Sequence, residues 1–288
     1  MKYNAQIERF DSIAQMLKTI ESRPENEVFK GQKPESKNSD KSFSRTSSYE
    51  EAMGLITNGW AEPLEQIKKG TGNSFRSNGQ VNKSRPQTGI VGYAPCVPNA
   101  ILGLPNSMIM TEKTPSKVKA VTLLFSMSVT CAYSQEKILK AGIVILNIIN
   151  DLELAGYRVR LDVEFFGANK GNDVCSARVT VKDWRQPLDL KKLAFPISHP
   201  SMFRRFGFRW LETYPNLTNH GYRHGYGSSS FKENYNNALK TFKDSGMLDK
   251  NEYLITTYLC MAHDYNKEKI MEECGLADAT KKGGEKTA

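Results

Sequence analysis

The chain has 288 residues and a formal net charge of +9, with 39% hydrophobic and 25% charged residues, which fits one large globular domain or two small ones. No run reaches the roughly 18 apolar residues of a membrane span, and the first twenty residues, with Glu8, Asp11 and Lys18, lack the apolar centre of a secretory signal. Five cysteines without a Cys-x-x-Cys pair fit reduced thiols and a cytoplasmic protein rather than a disulfide scaffold.

Ile7, Phe10, Ile13, Leu17 and Ile20 recur at three- and four-residue steps, which predicts an amphipathic N-terminal helix within residues 1–21. Residues 22–47 carry little apolar content and no period, and are expected to form a flexible arm. Ser48-Tyr49-Glu50-Glu51 is a capping box that opens a helix; Ala52, Leu55 and Ile56 follow, and Asn58-Gly59 closes it. Trp60 is expected to pack back on that helix, and Pro63 to open another that ends at Gly70. A flexible linker at 70–88 leads into Ile90–Met110, where Pro95, Pro98 and Pro105 forbid a regular helix. That stretch is expected to be a buried, irregular connector with one strand and a helical turn after Pro98. Residues 48–117 thus form a small lead-in segment.

The main domain is placed at 118–278. Val118–Val129 is a continuous apolar run of strand length, as for a strand covered on both faces. Ser134 opens a long helix lined by Ile138, Ala141, Ile145, Ile148, Ile149, Leu152 and Ala155, and Gly156 stops it. Arg158–Gly167 alternates as the next strand, with Val174–Trp184 its antiparallel partner. Helices are predicted at 189–194 and 200–213, and from Ser230, with Glu233 in a capping position, to Gly246. A buried strand at 253–260, a helix at 266–274 and a disordered tail at 279–288 complete the chain. A strand–helix–strand unit favours a parallel pair joined by a right-handed crossover. The predicted fold is a three-layer α/β sandwich: a mostly parallel, Rossmann-like sheet with one antiparallel hairpin strand and helices on both faces.

Four motifs carry a resemblance: SFSRTSSYEEAMGLITNGW at 42–60, CVPNAILGLPNSM at 96–108, KAGIVILNIINDLELAGYRVRL at 140–161 and HPSMFRRFGF at 199–208. Together they resemble a family of uncharacterised proteins encoded mainly by bacteriophages, which implies no activity. The first strand, the long helix, the LELAGYRV turn and the hairpin are also similar to a von Willebrand factor A-type domain. Such domains carry Asp-x-Ser-x-Ser after the first strand, where the carboxylate and hydroxyls hold a divalent cation. Ser126 and Ser128 align with the two serines, but Leu124 stands at the aspartate position. A hard cation needs anionic oxygen ligands, so this resemblance implies the fold without the metal.

The chemistry-bearing residues form no catalytic set. His220 and His224 lie in a glycine-rich stretch, NHGYRHGYGSSS, that reads as a polar loop rather than a zinc-binding helix. GANKGND is a hairpin turn rather than a phosphate loop, and no nucleophile elbow occurs. Asp162 and Glu164 share a strand face, either as an acid–base pair or as part of a solvated side. Ser126 and Ser128 fall at the carboxyl end of the first strand, where open α/β sheets place ligands. From His199 onward, Arg204, Arg205, Arg209 and Arg223 alternate with aromatic residues. Such a stretch can bind phosphate or stack on bases, or it can bury Phe203, Phe206 and Trp210 and expose its arginines to water.

The expected function is non-enzymatic: a protein partner, of phage or host origin, bound by the α/β domain, with no cofactor, no metal and no membrane contact. Two alternatives stand beside it. One is nucleic-acid binding through the basic segments 68–85 and 204–224. The other is an enzyme whose pocket lies near Ser126 and Ser128. The binding candidates are Ser126, Ser128, His199, Arg204, Arg205, Arg209, His220, Arg223 and His224.

Overall fold

A computed structural model describes residues 4–31, 33–71, 84–113, 119–168, 173–217 and 234–277. The chain divides into two compact units, one formed by Met1–Ser77 with Ala120–Ala288 and the other by Asn78–Lys119. In chain order the first unit begins with β1 (Asn4–Phe10) and α1 (Ile13–Ser22), then α2 (Glu35–Asn38), α3 (Lys41–Ser44), α4 (Tyr49–Asn58) and α5 (Leu64–Thr71). The second unit holds β2 (Ser84–Gly89), β3 (Ala94–Pro95), α6 (Val97–Ile101) and β4 (Met108–Lys113). The first unit resumes with β5 (Ala120–Ser126), α7 (Gln135–Leu154), β6 (Arg158–Ala168), β7 (Asp173–Lys182) and α8 (Leu190–Ser198). A π-helical turn at Met202–Gly207 runs into α9 (Phe208–Thr213), followed by α10 (Tyr235–Asp244), β8 (Glu252–Thr256), α11 (Thr257–Ala262) and α12 (Lys267–Glu273).

The first unit is built on a five-stranded sheet of order β1-β7-β6-β5-β8. The β5–β6, β5–β8 and β1–β7 pairs are parallel, and the β6–β7 pair is antiparallel. β5 is buried along nearly its whole length, as its unbroken apolar run requires of a central strand. Ser134 caps α7 by accepting from the Lys137 amide, and Gly156, at φ +88°, ends the turn that follows it. Ile138, Ala141, Ile145, Ile148, Ile149 and Leu152 bury the predicted face of α7. Phe165 of β6 meets Phe203 on that side of the sheet, whereas Phe166 meets Phe242 of α10 on the other. The result is the expected sandwich of helix, sheet and helix.

Several elements depart from the sequence pattern, each through a contact distant in sequence. The N-terminal helix begins only at Ile13, because Asn4–Phe10 pairs in parallel with Asp173–Val179 and satisfies its backbone as an edge strand. Ser12 and Gln15 then form the capping box: the Ser12 hydroxyl accepts from the Gln15 amide, and the Gln15 carboxamide accepts from Asp11. The 22–47 arm is folded into short helical turns, and Phe29, Ser36, Ser39, Ser44 and Thr46 are buried. The strand expected at 253–260 stops at Thr256, whose hydroxyl accepts from Leu259 and caps α11. Asn234 takes the capping role at α10; Ser230 and Glu233 lie outside the described residues, as does the ANKGND turn between Ala168 and Asp173.

The second unit is a three-stranded antiparallel sheet of order β2-β4-β3. α6 supplies the helical turn expected around Pro98. The connector is not buried, however. Ile90, Val91, Tyr93, Val97, Ile101, Leu102, Leu104 and Met110 are all exposed.

Candidate functional site

The carboxyl ends of β5 and β8 border a cleft lined by Ser126, Ser128, Thr130, Tyr133, Thr256 and Thr257, with α10 contributing Ala238 beside Asn234. It holds about 350 Å³ including its open mouth. Ser128 is committed to backbone: its hydroxyl accepts from the Phe166 amide at 2.7 Å, and Met127 N–H donates to the Glu164 carbonyl at 3.0 Å. These bonds carry the β5–β6 ladder past the end of β5. Ser126 sits opposite Glu164 in the register, and Ser176 donates to the Glu164 carboxylate at 2.8 Å. Burial pushes that carboxyl up to about 7, against the pull of the two serine hydroxyls and Arg178. The Thr130 and Thr257 hydroxyls are buried without a hydrogen-bond partner among the described residues. The cleft therefore presents hydroxyls and the Asn234 carboxamide, with the Glu164 carboxyl beside Ser126. No group of three or more His, Cys, Asp or Glu stands close enough to hold a metal among the described residues.

The face of β6 that carries Asp162 and Glu164 is not solvated. Both are buried, because α10 and its flanks cover that side of the sheet. Asp162 has a cationic partner, whereas Glu164 is met by serine hydroxyls and its Oε2 has no hydrogen-bond partner among the described residues. Arg160 Nε lies 2.8 Å from Asp162, and Arg178, opposite Glu164, donates to Glu252 at 2.8 Å and to the Met247 carbonyl. This is an internal ion network that fixes the cover of the sheet.

Over residues 199–214 the arginine and aromatic stretch is likewise interior. Phe203, Phe206 and Trp210 are buried as expected, but so are Arg204, Arg205 and Arg209, so the exposed basic face is not formed. Arg205 is 0% exposed and donates to the Ser36, Ser39 and Thr46 carbonyls and the Ser44 and Thr46 hydroxyls, at 2.8 to 3.1 Å. Arg204 donates to the Phe43, Thr130 and Tyr133 carbonyls and stacks over the Phe43 ring. Glu212 accepts from the Ser36 amide and hydroxyl, and Arg209 pairs with Glu25 at 3.3 Å. These side chains clamp residues 25–46 onto the π-turn and α9, which is why an aperiodic segment is ordered. His199 is buried between Phe195 and Trp60, with Nδ1 accepting from the Ser201 amide. Burial pushes its imidazole down to about 3, so it is neutral and structural. His220, Arg223 and His224 lie outside the described residues. Of the first basic segment, Lys68 and Lys69 are exposed on α5, and Lys68 pairs with Glu65 at 3.1 Å; Arg76 and Lys83 lie outside the described residues.

The feature that sequence reasoning missed is the tip of the second unit. β2 and β3 both run antiparallel to β4, so residues 90–93 and 96–107 gather at the Met108 end of β4. Those residues are held in place. Tyr93 donates to the Ile109 carbonyl, Cys96 to that of Ser107 and Leu104 to that of Asn99, and the Asn99 carboxamide donates to the Asn106 carbonyl. Gly92 is required there, since a Cβ would lie 2.1 Å from the Ile109 carbonyl oxygen. On this ordered frame Ile90, Val91, Tyr93, Ile101 and Leu102 are each more than 70% exposed. The signal was present in the sequence as 26 consecutive uncharged residues, Pro86 to Thr111, in a chain that is otherwise rich in charge.

No helix among the described residues is long and apolar enough to cross a membrane. A family model described as a domain of unknown function, DUF7192, matches residues 2–278. Neither a curated protein nor a solved structure matches the chain.

Proposed function

Since the chain belongs to the DUF7192 family, whose description carries no activity, we propose from the geometry that it is a non-enzymatic interaction protein. It docks a protein partner through the apolar tip of the Asn78–Lys119 unit, and the α/β unit serves as the scaffold. One observation carries this reading: eight large apolar side chains stand exposed within 21 residues, on loops, α6 and β4, whose backbone is already tied by hydrogen bonds. Exposed apolar residues scattered singly are ordinary, but this many in one short segment mark an interaction surface. At about 100 Å² per side chain the tip offers roughly 800 Å², one partner's share of a standard interface. The ordered loops lower the entropy lost on docking.

The resemblance to bacteriophage-encoded proteins supports a partner of phage or host origin. The likeness of the α/β unit to a von Willebrand factor A-type module, with Leu124 in place of the metal-binding aspartate, supports an adhesive role by analogy alone. Photocrosslinking tests the reading. With a benzophenone amino acid at position 101, irradiation in the producing cells should yield protein adducts. The same group at the exposed Lys240 of α10 should yield few. Equal labelling from both positions, or none from 101, contradicts it.

A further inference from the structure

We infer that the partner at the tip of the Asn78–Lys119 unit is a second copy of this chain. The inference rests on the interaction reading above and names the occupant of that surface. It follows from where the charge is. Residues 86–111 carry none, whereas the chain as a whole carries +9. The nearest charged positions in sequence, Arg85 and Glu112, face each other in the β2–β4 register, four residues along the ladder from the Gly89–Met108 pair that marks the tip. At about 3.4 Å per residue those backbone positions lie about 14 Å along the ladder from that pair. Two copies meeting through residues 90–107 therefore set no charges of that segment against each other. Contact through a face that carries the surplus positive charge would oppose itself.

The same neutrality argues against partners recognised by charge. An acidic protein surface finds no complementary group at the tip. A bilayer surface is usually engaged by aromatic anchors with bases at headgroup depth, and here Tyr93 is the one aromatic residue between positions 86 and 111. An apolar patch without charge is self-complementary, as a two-fold contact requires. Two tips of roughly 800 Å² would bury about 1,600 Å², the size of a stable, specific interface.

Sedimentation velocity of the full chain, from about 1 to 100 μM, is the test. The expected result is conversion of a 32.4 kDa species to one of twice that mass. Ile101→Asp combined with Leu102→Asp should remain monomeric with an unchanged circular dichroism spectrum. Leu154→Asp, which alters an exposed apolar residue of the first unit, should dimerise as the wild type does. Should the double substitution disturb folding, Ile101→Ser should still weaken dimerisation at least tenfold. A chain that stays monomeric throughout, or a dimer indifferent to the tip substitutions, overturns the inference. A monomer that forms adducts from position 101 with a different protein overturns the second copy and leaves the docking reading standing. A monomer that co-sediments through its tip with phosphatidylglycerol–phosphatidylethanolamine vesicles overturns both.

Discussion

Arg205 directs its Nε, Nη1 and Nη2 donors at five acceptors contributed by residues 36–46. A planar fork fits that arrangement and a single ammonium does not. Arg205→Lys and Arg205→Met should each destabilise the fold by about 3 to 5 kcal/mol, and hydrogen exchange of residues 34–46 should rise before that of the sheet. Exchange unchanged in that segment would show that the clamp is not needed. Glu164 makes a prediction that depends on pH. Its folded carboxyl titrates at about 7, against an ordinary 4.5, so the folded chain binds more protons than the unfolded chain between those values. Stability from this group therefore falls as pH rises through that window. Glu164→Gln should be more stable than wild type at pH 8 by up to about 3 kcal/mol, and the gap should close towards pH 4.5 in urea titrations; a gap independent of pH contradicts the titration. Neither burial was legible in the sequence. Charged residues default to solvent, β6 alternates like a half-wet strand, and the groups that cover Arg205 and Glu164 come from segments far away in the chain.

β5, α7 and β6 were legible because their signals are local: a buried strand run, a capping serine, a seven-residue apolar face and a stopping glycine. β1 was not, because an edge strand is chosen by its ladder with β7 and not by its own spacing. Ser12-Ile13-Ala14-Gln15 did mark the true start of α1. Two helical glycines separate packing from propensity. At Gly142 of α7 a Cβ would stand 2.8 Å from Ser198 Cβ and 3.0 Å from the Ile197 carbonyl oxygen, whereas at Gly54 of α4 it would meet nothing within 4 Å. Gly142→Ala should destabilise by about 1 to 3 kcal/mol through overpacking against α8. Gly54→Ala should stabilise by about 0.5 to 1 kcal/mol through helix propensity. Thermal unfolding of both variants reads the contrast, and shifts of the same sign would contradict this account of α7 against α8.

At the scale of the whole molecule, the two units differ in what they bury. The first buries its polar residues as well as its apolar ones, turning candidate binding groups such as His199, Arg204 and Arg205 into internal ties. The second leaves its apolar residues outside. The sequence pattern pointed the opposite way for both, since proline-punctuated apolar runs usually fill a core and arginine-rich stretches usually face water. The candidate cleft at Ser126 was legible from its place at a strand end, while the tip was visible only as missing charge. Hydroxyl-radical footprinting compares these surfaces directly, with the purified chain at high dilution set against the chain in the extract of its producing cells. Protection is predicted at Tyr93, Ile101 and Leu102, with Leu154 of α7 and Tyr258 beside the cleft labelled equally in both. A tip that stays fully reactive while Tyr258 becomes protected would contradict the assignment of function to the second unit.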